Sequence, residues 1–388
     1  MIIDVHCHYT FSALLADGRR FSFEPVEARG VHAFDSFVSP RAARRLSFRL
    51  MLRLLDLPRD LNPGPELDAA IGDANRRHLG EPLEAAVSAF RSSPFDNLNS
   101  RAIDRFVLLA FDAYHDDDGR RPAPPSGRGD RGADIYTSNS AVRRACEESP
   151  GRFLFGASVH PYRENAVECV QEVFDAGACL IKWLPLHQNI DIADPRTVAV
   201  LRRCAKLGLP LLVHYSSEFT LTTQHREHQD VGALLDVLRG LRAEEAMPPV
   251  IVAHVATPVS HWLGPRHDHE QLVAALLGEF ADAPLYADIS ALTALPKHRY
   301  LRAMARRQEL HGKLLFGSDF PVPVTMTSLR GLLGEQYDRI AAIESWPERA
   351  LKIFRCIGFN EIVFHRAAEL LANVDHFARS DSAAGAIR

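Results

Sequence analysis

The chain has 388 residues, of which 46% are hydrophobic and 24% are charged. This composition is typical of a folded globular protein and excludes a disordered or fibrous chain. With 45 Lys and Arg against 49 Asp and Glu, the formal net charge of −4 provides no overall positive field. Binding to nucleic acid or to an anionic membrane surface is therefore not expected.

The six cysteines are spread along the chain without a CxxC pair. This spacing argues against a disulfide framework and against a thiolate zinc site. The N-terminal sequence lacks the features of a signal peptide, and no run reaches the roughly 18 uninterrupted apolar residues of a membrane helix. We therefore expect a cytoplasmic protein without a membrane-spanning segment.

Eight short apolar runs, rich in β-branched residues, predict β-strands that alternate with helices. The predicted strands are residues 2–6, 105–111, 153–159, 179–184, 210–214, 250–254, 285–289 and 313–317. Predicted helices between them include residues 165–176, 195–207, 231–244 and 270–280. Most strands are apolar at consecutive positions, as in parallel strands covered on both faces. Eight repeats of strand and helix indicate an α/β fold, the (β/α)8 TIM barrel, rather than a doubly wound sheet.

A long segment interrupts this alternation after the first strand, because a crossover between strands needs far fewer residues. Within it, Ser39-Pro40 is typical of a helix start, and leucines at helical spacing follow until Pro58. Arginines accompany these leucines, and a basic amphipathic helix can bind a membrane or a partner. A cap helix packed on the barrel with solvated arginines is the simpler interpretation.

The domain organisation follows from these patterns. Residues 1–20 and 101–375 are expected to form the barrel with its C-terminal helices, residues 21–100 a helical insertion or cap, and residues 376–388 a polar tail. Residues 115–132 are rich in turn formers and follow the second strand, so they should lie at the barrel mouth as a lid or a flexible loop. The insertion could shape a substrate pocket or form the interface of a homo-oligomer.

Polar residues fall at the carboxyl ends of the predicted strands. His6 and His8 are two residues apart at the end of the first strand, and strand alternation directs both side chains to one side. His214 ends the fifth strand, His254 ends the sixth, and Asp319 follows the eighth. The carboxyl ends of barrel strands converge at the mouth. Four imidazoles and one carboxylate meeting there would suit zinc, manganese, iron, cobalt or nickel.

Each of these residues alone has a simpler explanation. A single histidine at a strand end is usually a hydrogen-bonded structural group, and a His-x-His pair by itself is a weak signal. With 18 histidines in the chain, some will fall at strand ends by chance. The combination of several such residues in barrel order is what predicts a metal site.

At these positions the sequence resembles the amidohydrolase superfamily, and within it the amidohydrolase 2 group, which also holds metal-dependent decarboxylases and lactonases. The resemblance runs nearly end to end. It rests on the His6-x-His8 pair and on residues 181–185, 212–214, 253–254 and 317–321. The resemblance implies that His6, His8 and Asp319 bind a first metal ion, and that His214 and His254 are further ligands or catalytic partners.

Lys182 bears on the number of metal ions. In binuclear members of the superfamily a lysine of the fourth strand is carbamylated, which turns a cation into an anionic oxygen ligand that bridges two ions. Lys182 precedes His214 by 32 residues, a normal strand-helix-strand interval, and is placed for that role. The alternative is an ordinary lysine, paired with a substrate carboxylate or a barrel acid. In that mononuclear enzyme His214 would bind the single ion and His254 would contact substrate or water.

The resemblance and the donor set predict a metal-dependent hydrolase that uses metal-activated water on an amide, lactone or ester bond of a small molecule. Asp319 would be the general base and His254 a second catalytic residue. The expected cofactor is a divalent metal, zinc before others: one ion, or two if Lys182 is carbamylated. One alternative is a mononuclear decarboxylase of the same superfamily, which is a carbon–carbon lyase. Another is a barrel that binds metal or ligand without turnover.

Residues after the third strand are predicted to contact the substrate, namely His160, Tyr162 and Arg163. Arg163 could bind a carboxylate through two parallel hydrogen bonds. Further histidines lie in polar, loop-like sequence away from the strand ends, and we interpret them as surface groups rather than metal ligands. They are His225, His228, His261, His267 and His269.

Overall fold

A computed structural model of the chain describes residues 1–9, 21–22, 36–38, 98, 100–121, 135–217, 221, 225–259, 267–294, 297–322 and 324–378. The strands of these residues are β1 (Ile3–His8), β2 (Phe21–Ser22), β3 (Ser36–Val38), β4 (Arg105–Leu109), β5 (Ile135–Thr137), β6 (Phe153–Ala157), β7 (Ala178–Trp183), β8 (Leu211–Val213), β9 (Val250–Val252), β10 (Leu285–Asp288) and β11 (Leu314–Leu315).

Eight of these strands form one parallel barrel. Its order is β1, β4, β6, β7, β8, β9, β10 and β11, so each strand pairs with the next barrel strand along the chain. The sheet closes between the last strand and the first: Phe316 O accepts the Val5 N–H at 3.1 Å, and Phe320 O accepts the His8 N–H at 2.8 Å. The predicted (β/α)8 barrel is confirmed, and each predicted strand overlaps an observed one, although β1 extends to His8, beyond the predicted end at residue 6, and β7 starts at Ala178, before the predicted start at residue 179.

Helices follow most of the strands. The described α-helices are α1 (Asn139–Glu148), α2 (Ala166–Asp175), α3 (Pro185–Gln188), α4 (Pro195–Leu207), α5 (Val231–Ala243), α6 (His267–Leu277), α7 (Leu301–Arg306), α8 (Met326–Leu333), α9 (Tyr337–Ala341), α10 (Trp346–Cys356), α11 (Ile362–His365) and α12 (Ala367–Leu370). The 3-10 helices are Arg226–Gln229, Ala253–Ala256, Lys297–Tyr300, Gln308–Lys313 and Gly334–Gln336. The expectation of a mostly helical C-terminal region is confirmed.

Local signals explain where α4 begins and ends. The Asp194 side chain accepts the N–H of Arg196, and Pro195 takes the first helical position. Gly208 ends the helix with a φ of 60°, a left-handed conformation that glycine adopts at no steric cost. These bounds match the predicted ones. By contrast, α6 begins at His267 rather than at residue 270, and ends at Leu277.

Apolar side chains pack in two layers. Leu212 lies opposite Lys182 in the register of β7 and β8, and it belongs to a buried cluster with Leu154 and Ile251 inside the barrel. A larger cluster, which includes Phe155 and Val213, fills the space between the strands and the helices. This alternation of inward and outward residues is the expected filling of a TIM barrel.

The C-terminal helices cover the end of the barrel from which the strands start. Ala367 and Leu371 pack on the interior cluster, and the Ala372 N–H donates to Cys179 O, near the start of β7, at 3.1 Å. The opposite end, where the strands finish, therefore remains for polar side chains. No helix in the described part of the chain is long and apolar enough to cross a membrane.

The described part of the predicted insertion contributes two strands. β2 pairs parallel with β3, and β3 pairs antiparallel with β5. The helix expected after Ser39-Pro40 and most of the turn-rich segment 115–132 lie outside the described residues. The helical insertion over residues 21–100 therefore stays a prediction, as does the domain division.

Candidate metal centre

A β-bulge in the first strand directs its histidines inward. The pairing of β1 with β4 shifts register between Asp4 and Cys7. Val5 belongs to the cluster inside the barrel, whereas Cys7 packs in the outer cluster, although regular alternation would place both on one side. The extra residue brings His6 as well as His8 to the inner side. Bulges beside active sites commonly re-aim side chains in this way.

The predicted ligands meet at the barrel mouth. His6, His254 and Asp319 are buried, and each offers a ligand atom within 4.8 Å of the other two. Asp319 Oδ1 lies 3.2 Å from His6 Nε2 and 3.0 Å from His8 Nε2, while Oδ2 lies 3.5 Å from His254 Nε2. The ring of His214 is 5.1 Å from that of His254. The structure thus gathers three of the predicted histidines around one carboxylate and places His214 beside one of them, His254.

Lys182 reaches the same cluster from β7. Its side chain is buried, and its Nζ lies 3.2 Å from His6 Nε2. Since Asp319 lies at the same distance from that nitrogen, the amine, the imidazole and the carboxylate are neighbours. Lys182 therefore lies beside His6 in the cluster of predicted metal ligands.

Asp288, which the sequence analysis missed, stands behind two of the histidines. His6 Nδ1 donates to Asp288 Oδ2 at 2.9 Å, and Asp288 Oδ1 accepts the His254 N–H at 2.8 Å. Ser290 completes the contact, because its Oγ lies 2.7 Å from His254 Nδ1. With both Nδ1 atoms engaged in this way, the Nε2 lone pairs face the mouth, the arrangement that metal-binding histidines adopt. Asp288 lies at the carboxyl end of the predicted seventh strand, and this position was the sequence signal that could have identified it.

Asp4 joins the first strand to the segment that carries Asp319. Its Oδ1 accepts the N–H of His6 at 3.1 Å and the N–H of Ser318 at 2.9 Å. Burial raises the pKa of Asp4 to about 7, although these hydrogen bonds act in the opposite direction. The sequence analysis missed this role, because the two segments that Asp4 links lie at opposite ends of the chain.

The backbone is left-handed at several strand ends of the mouth. The φ angles are 84° at Ser216, 57° at His254, 54° at Ala291 and 61° at Asp319. Such a conformation costs roughly 1 to 2 kcal/mol per non-glycine residue. It persists where surrounding contacts over-determine it, and it concentrates at functional sites. Two of the four residues are the candidate catalytic residues.

Burial favours the metal-binding, neutral form of two candidate ligands, His6 and His254. It lowers the pKa of His6 well below the ordinary value, with the charge of Lys182 acting in the same direction. Burial and then the charge of Lys297 do the same for His254. Neutral imidazoles with a free lone pair are the form that binds a cation. The sequence analysis missed the buried Lys297, which no strand-end pattern marks.

The residues predicted to contact substrate form hydrogen bonds within the protein. Arg163 donates from Nε and Nη2 to the Asp112 carboxylate at 2.7 and 2.6 Å. His160 Nε2 donates to Gln188 O at 2.7 Å, and its Nδ1 accepts the Tyr162 N–H at 3.0 Å. These bonds connect the loops after β4, β6 and β7. A role of His160, Tyr162 and Arg163 in substrate binding stays a prediction.

The interpretation of the other histidines as surface groups is wrong for two of them. His225 and His269 are buried, and His269 Nδ1 donates to Val255 O at 2.8 Å. His267 is exposed, as expected, and His261 lies outside the described residues. Polar sequence therefore did not predict exposure, because His225 packs among the loops of the mouth and His269 lies on α6 and hydrogen-bonds the segment after β9.

A parallel barrel with imidazole and carboxylate donors gathered at the carboxyl ends of its strands is the arrangement of a TIM barrel that holds a divalent cation. The family model Amidohydro_2, described as amidohydrolase, matches residues 104–337, more than half of the chain. The chain belongs to this amidohydrolase family, as its sequence motifs predicted. A comparison with curated proteins finds no match.

A comparison with solved structures finds proteins similar to this chain. An uncharacterized TIM-barrel protein from Bordetella bronchiseptica is 17% identical with a TM-score of 0.51, over 96% of this chain and 99% of that chain. A probable 2-pyrone-4,6-dicarboxylic acid hydrolase from Acinetobacter baumannii is 14% identical with a TM-score of 0.46, over 94% and 99%. The 5-carboxyvanillate decarboxylase from Sphingomonas paucimobilis is 12% identical with a TM-score of 0.44, over 91% and 98%. At 17% identity, the similarity to the Bordetella bronchiseptica protein supports the fold alone.

The buried Asp112–Arg163 pair predicts a measurable stability difference. We expect Asp112→Ala to lower the free energy of unfolding by about 3 kcal/mol at pH 7, because it leaves a partly buried guanidinium and the buried His160 N–H without their shared carboxylate. Urea denaturation measures this change. The control is Asp118→Ala, which removes an exposed pair with Arg120 on the same loop and should cost less than about 0.5 kcal/mol.

The same pair has a defined pH dependence. Burial alone would raise the pKa of Asp112, but the hydrogen bonds and charge of Arg163 lower it to about 2. Since the unfolded carboxyl titrates near 3.8, the stabilisation is complete above that pH and is lost as the pH falls toward 2. The difference between wild type and Asp112→Ala should shrink over this window, and an unchanged difference there would contradict the assignment.

Proposed function

We propose that this protein is a metal-dependent hydrolase that acts on an amide, lactone or ester bond of a small molecule. The observation that carries the proposal is the position of the Asp319 carboxylate. Its Oδ1 lies within 3.2 Å of the Nε2 atoms of His6 and His8, and its Oδ2 lies 3.5 Å from His254 Nε2. In this proposal one oxygen would ligate a cation and the other would exchange a proton.

The donors fit a divalent transition ion, and zinc is the ion we propose. Neutral imidazole nitrogens and a carboxylate oxygen, buried and within 4.8 Å of one another, are the ligands that zinc prefers. His6, His8, His214, His254 and Asp319 would hold it. When bound, such an ion polarises a carbonyl group and lowers the pKa of water from 15.7 to about 7.

The side chains of the cluster would divide the proton transfers between them. Asp319 is the proposed general base: it accepts the proton of the attacking water and returns it to the leaving group. His254 would assist, because Ser290 engages its Nδ1 and leaves Nε2 directed at Asp319. The backbone contact from Asp288 Oδ1 holds His254 in this orientation.

Lys182 determines the number of ions in this proposal. An ammonium 3.2 Å from His6 Nε2 would compete with a cation for that nitrogen and would repel it. A carbamate formed on Nζ would instead supply an anionic oxygen ligand. We therefore propose that Lys182 is carbamylated and that the site holds two ions.

The same contact favours one second candidate, a mononuclear decarboxylase. If Lys182 keeps its amine, no anionic bridge is available for a second ion. The buried positive charges of Lys182 and Lys297 would then attract the carboxylate of an aromatic or enol acid. Cleavage of its carbon–carbon bond would release carbon dioxide in place of hydrolysis.

Metal content, the state of Lys182 and the product distinguish the candidates. For the hydrolase we expect two ions per chain, a carbamate signal on Lys182 in NMR after incubation with isotope-labelled bicarbonate, and hydrolysis within a panel of amides, lactones and esters. One ion, an unmodified Lys182 and carbon dioxide release from a carboxylic acid would support the decarboxylase. A metal-loaded protein inactive on every substrate would contradict both and favour a barrel that only binds.

Replacing the proposed general base tests the mechanism. Asp319→Asn keeps an oxygen ligand but cannot accept a proton, so we expect kcat to fall at least about 100-fold while most of the metal is retained. Steady-state kinetics and metal analysis on the same sample measure both effects. Asp338→Asn, at an exposed acid on α9, serves as the control. Turnover of Asp319→Asn within twofold of wild type would rule out the role.

Asp288 accepts a hydrogen bond from a proposed metal ligand, His6, and should therefore affect the affinity for the metal. Asp288→Asn weakens the acceptor for His6 Nδ1, and we expect about 10- to 100-fold weaker zinc binding. Competition with a chromophoric chelator measures the affinity. The control is Asp282→Asn, at an exposed acid in the turn before β10, and its affinity should equal that of wild type. Equal affinities for both variants would show that Asp288 does not support a metal ligand.

A further inference from the structure

The loop that follows β8 carries a second group of metal-type donors, separate from the cluster at Asp319. His225, Glu227 and His228 each offer a ligand atom within 4.8 Å of the other two. None of these residues was predicted as a ligand, and none takes part in the proposed hydrolysis. His225 is buried, whereas the carboxylate side of the group opens to solvent because the Glu227 side chain is 66% exposed.

A single turn of 3-10 helix brings the group together. The 3-10 helix Arg226–Gln229 follows His225 directly, and the His228 N–H donates to His225 O at 3.1 Å. Side chains three residues apart eclipse in a 3-10 helix. The rings of His225 and His228 accordingly stack with their centroids 5.4 Å apart and 19° between their planes. Glu227 Oε1 lies 3.3 Å from His225 Nδ1.

The hydrogen-bond partner of His228 indicates which of its ring nitrogens carries the lone pair. Asn189 Nδ2 donates to His115 O at 3.1 Å and to Asp117 Oδ1 at 2.9 Å, so the amide is oriented with Oδ1 as an acceptor. His228 Nε2 lies 3.3 Å from that Oδ1. In the neutral ring Nε2 therefore carries the hydrogen, and Nδ1 carries the lone pair.

The environment of His225 permits the same assignment. Its Nε2 lies 3.0 Å from the hydroxyl of Tyr114, which can accept as well as donate a hydrogen bond. When the hydroxyl accepts, the Nδ1 lone pair faces Glu227. A ligating histidine usually donates its other ring N–H to an oxygen in this way. Without a cation, the hydroxyl can donate to Nε2 and the Nδ1 proton can bind Glu227 instead.

We propose that His225, Glu227 and His228 form a site for a divalent transition ion, bound through the two Nδ1 atoms and the Glu227 carboxylate. Two imidazoles and one carboxylate suit zinc, cobalt or nickel, whereas magnesium and calcium prefer oxygen ligands throughout. The exposure of Glu227 leaves room for water as a further ligand. This site does not depend on the proposed hydrolase activity.

An ion at this position would hold three loops of the mouth together. The His225 N–H donates to Leu186 O at 3.1 Å in α3, which follows β7. Tyr114 follows β4, and the Asn189 amide that orients His228 follows α3. The ion would thus stabilise the 3-10 helix Arg226–Gln229, which precedes α5, and its ligands are different residues from those of the Asp319 cluster. Its role would be structural.

The test is a zinc count on metal-stripped protein reloaded with zinc chloride and freed of excess ion. We expect Glu227→Gln and His228→Ala each to hold about one equivalent less per chain than wild type, or to bind that equivalent at least tenfold more weakly. Glu227 is exposed, so Glu227→Gln should fold normally, and circular dichroism checks this. Zinc content and affinity equal to wild type in both variants would overturn the proposal.

Two controls make the result specific. The exposed pair His365 and Glu361 on and beside α11 has its nearest nitrogen and oxygen 3.5 Å apart, so it offers the same ligand types at the surface. His365→Ala with Glu361→Gln should keep the full zinc content. Asp288→Asn should weaken binding at the Asp319 cluster and leave the equivalent at Glu227 in place, so the two sites fail separately. Loss of the same equivalent in the surface control would count against the assignment.

Discussion

The Asp319 carboxylate is buried beside the Nε2 atoms of His6, His8 and His254, and this contact governs how the mouth of the barrel is built. A buried carboxylate is costly unless it is paired and hydrogen-bonded. Burial also lowers the pKa of His6 and of His254, so these two imidazoles stay neutral and do not supply the missing charge. A divalent cation would satisfy the carboxylate and the imidazole lone pairs together. The same atoms are therefore costly to bury without a cation and suited to bind one.

Two buried acids, Asp288 and Asp4, orient the candidate ligands through hydrogen bonds. Asp288 accepts from His6 Nδ1 and from the His254 backbone, and Asp4 accepts from the backbone of His6 and Ser318. Each acid thus links two barrel strands that are distant in sequence. The left-handed backbone at strand ends is compatible with this arrangement, because several buried contacts hold each residue there.

The loops of the mouth are connected by polar contacts of their own. The Asp112–Arg163 pair joins the loops after β4 and β6, and the group around His225 joins those after β4, β7 and β8. In TIM barrels the strand ends carry the chemistry and the loops set which substrate enters. Substrate choice in this protein would therefore depend on contacts that also keep the loops ordered.

The sequence by itself determined the strands and helices of the barrel and which polar residues lie at the ends of its strands. Strand patterns, the caps of α4 at Asp194 and Gly208, and polar residues at strand ends are local features, and neighbours in sequence decide them. Only the tertiary structure decided which side chains hydrogen-bond the candidate ligands. His6 and Asp288 are 282 residues apart, and their contact exists because the barrel closes. The inward direction of the His6 side chain depends on the register of β1, and the burial of His225 depends on how the loops pack. Neither is encoded by a local sequence pattern.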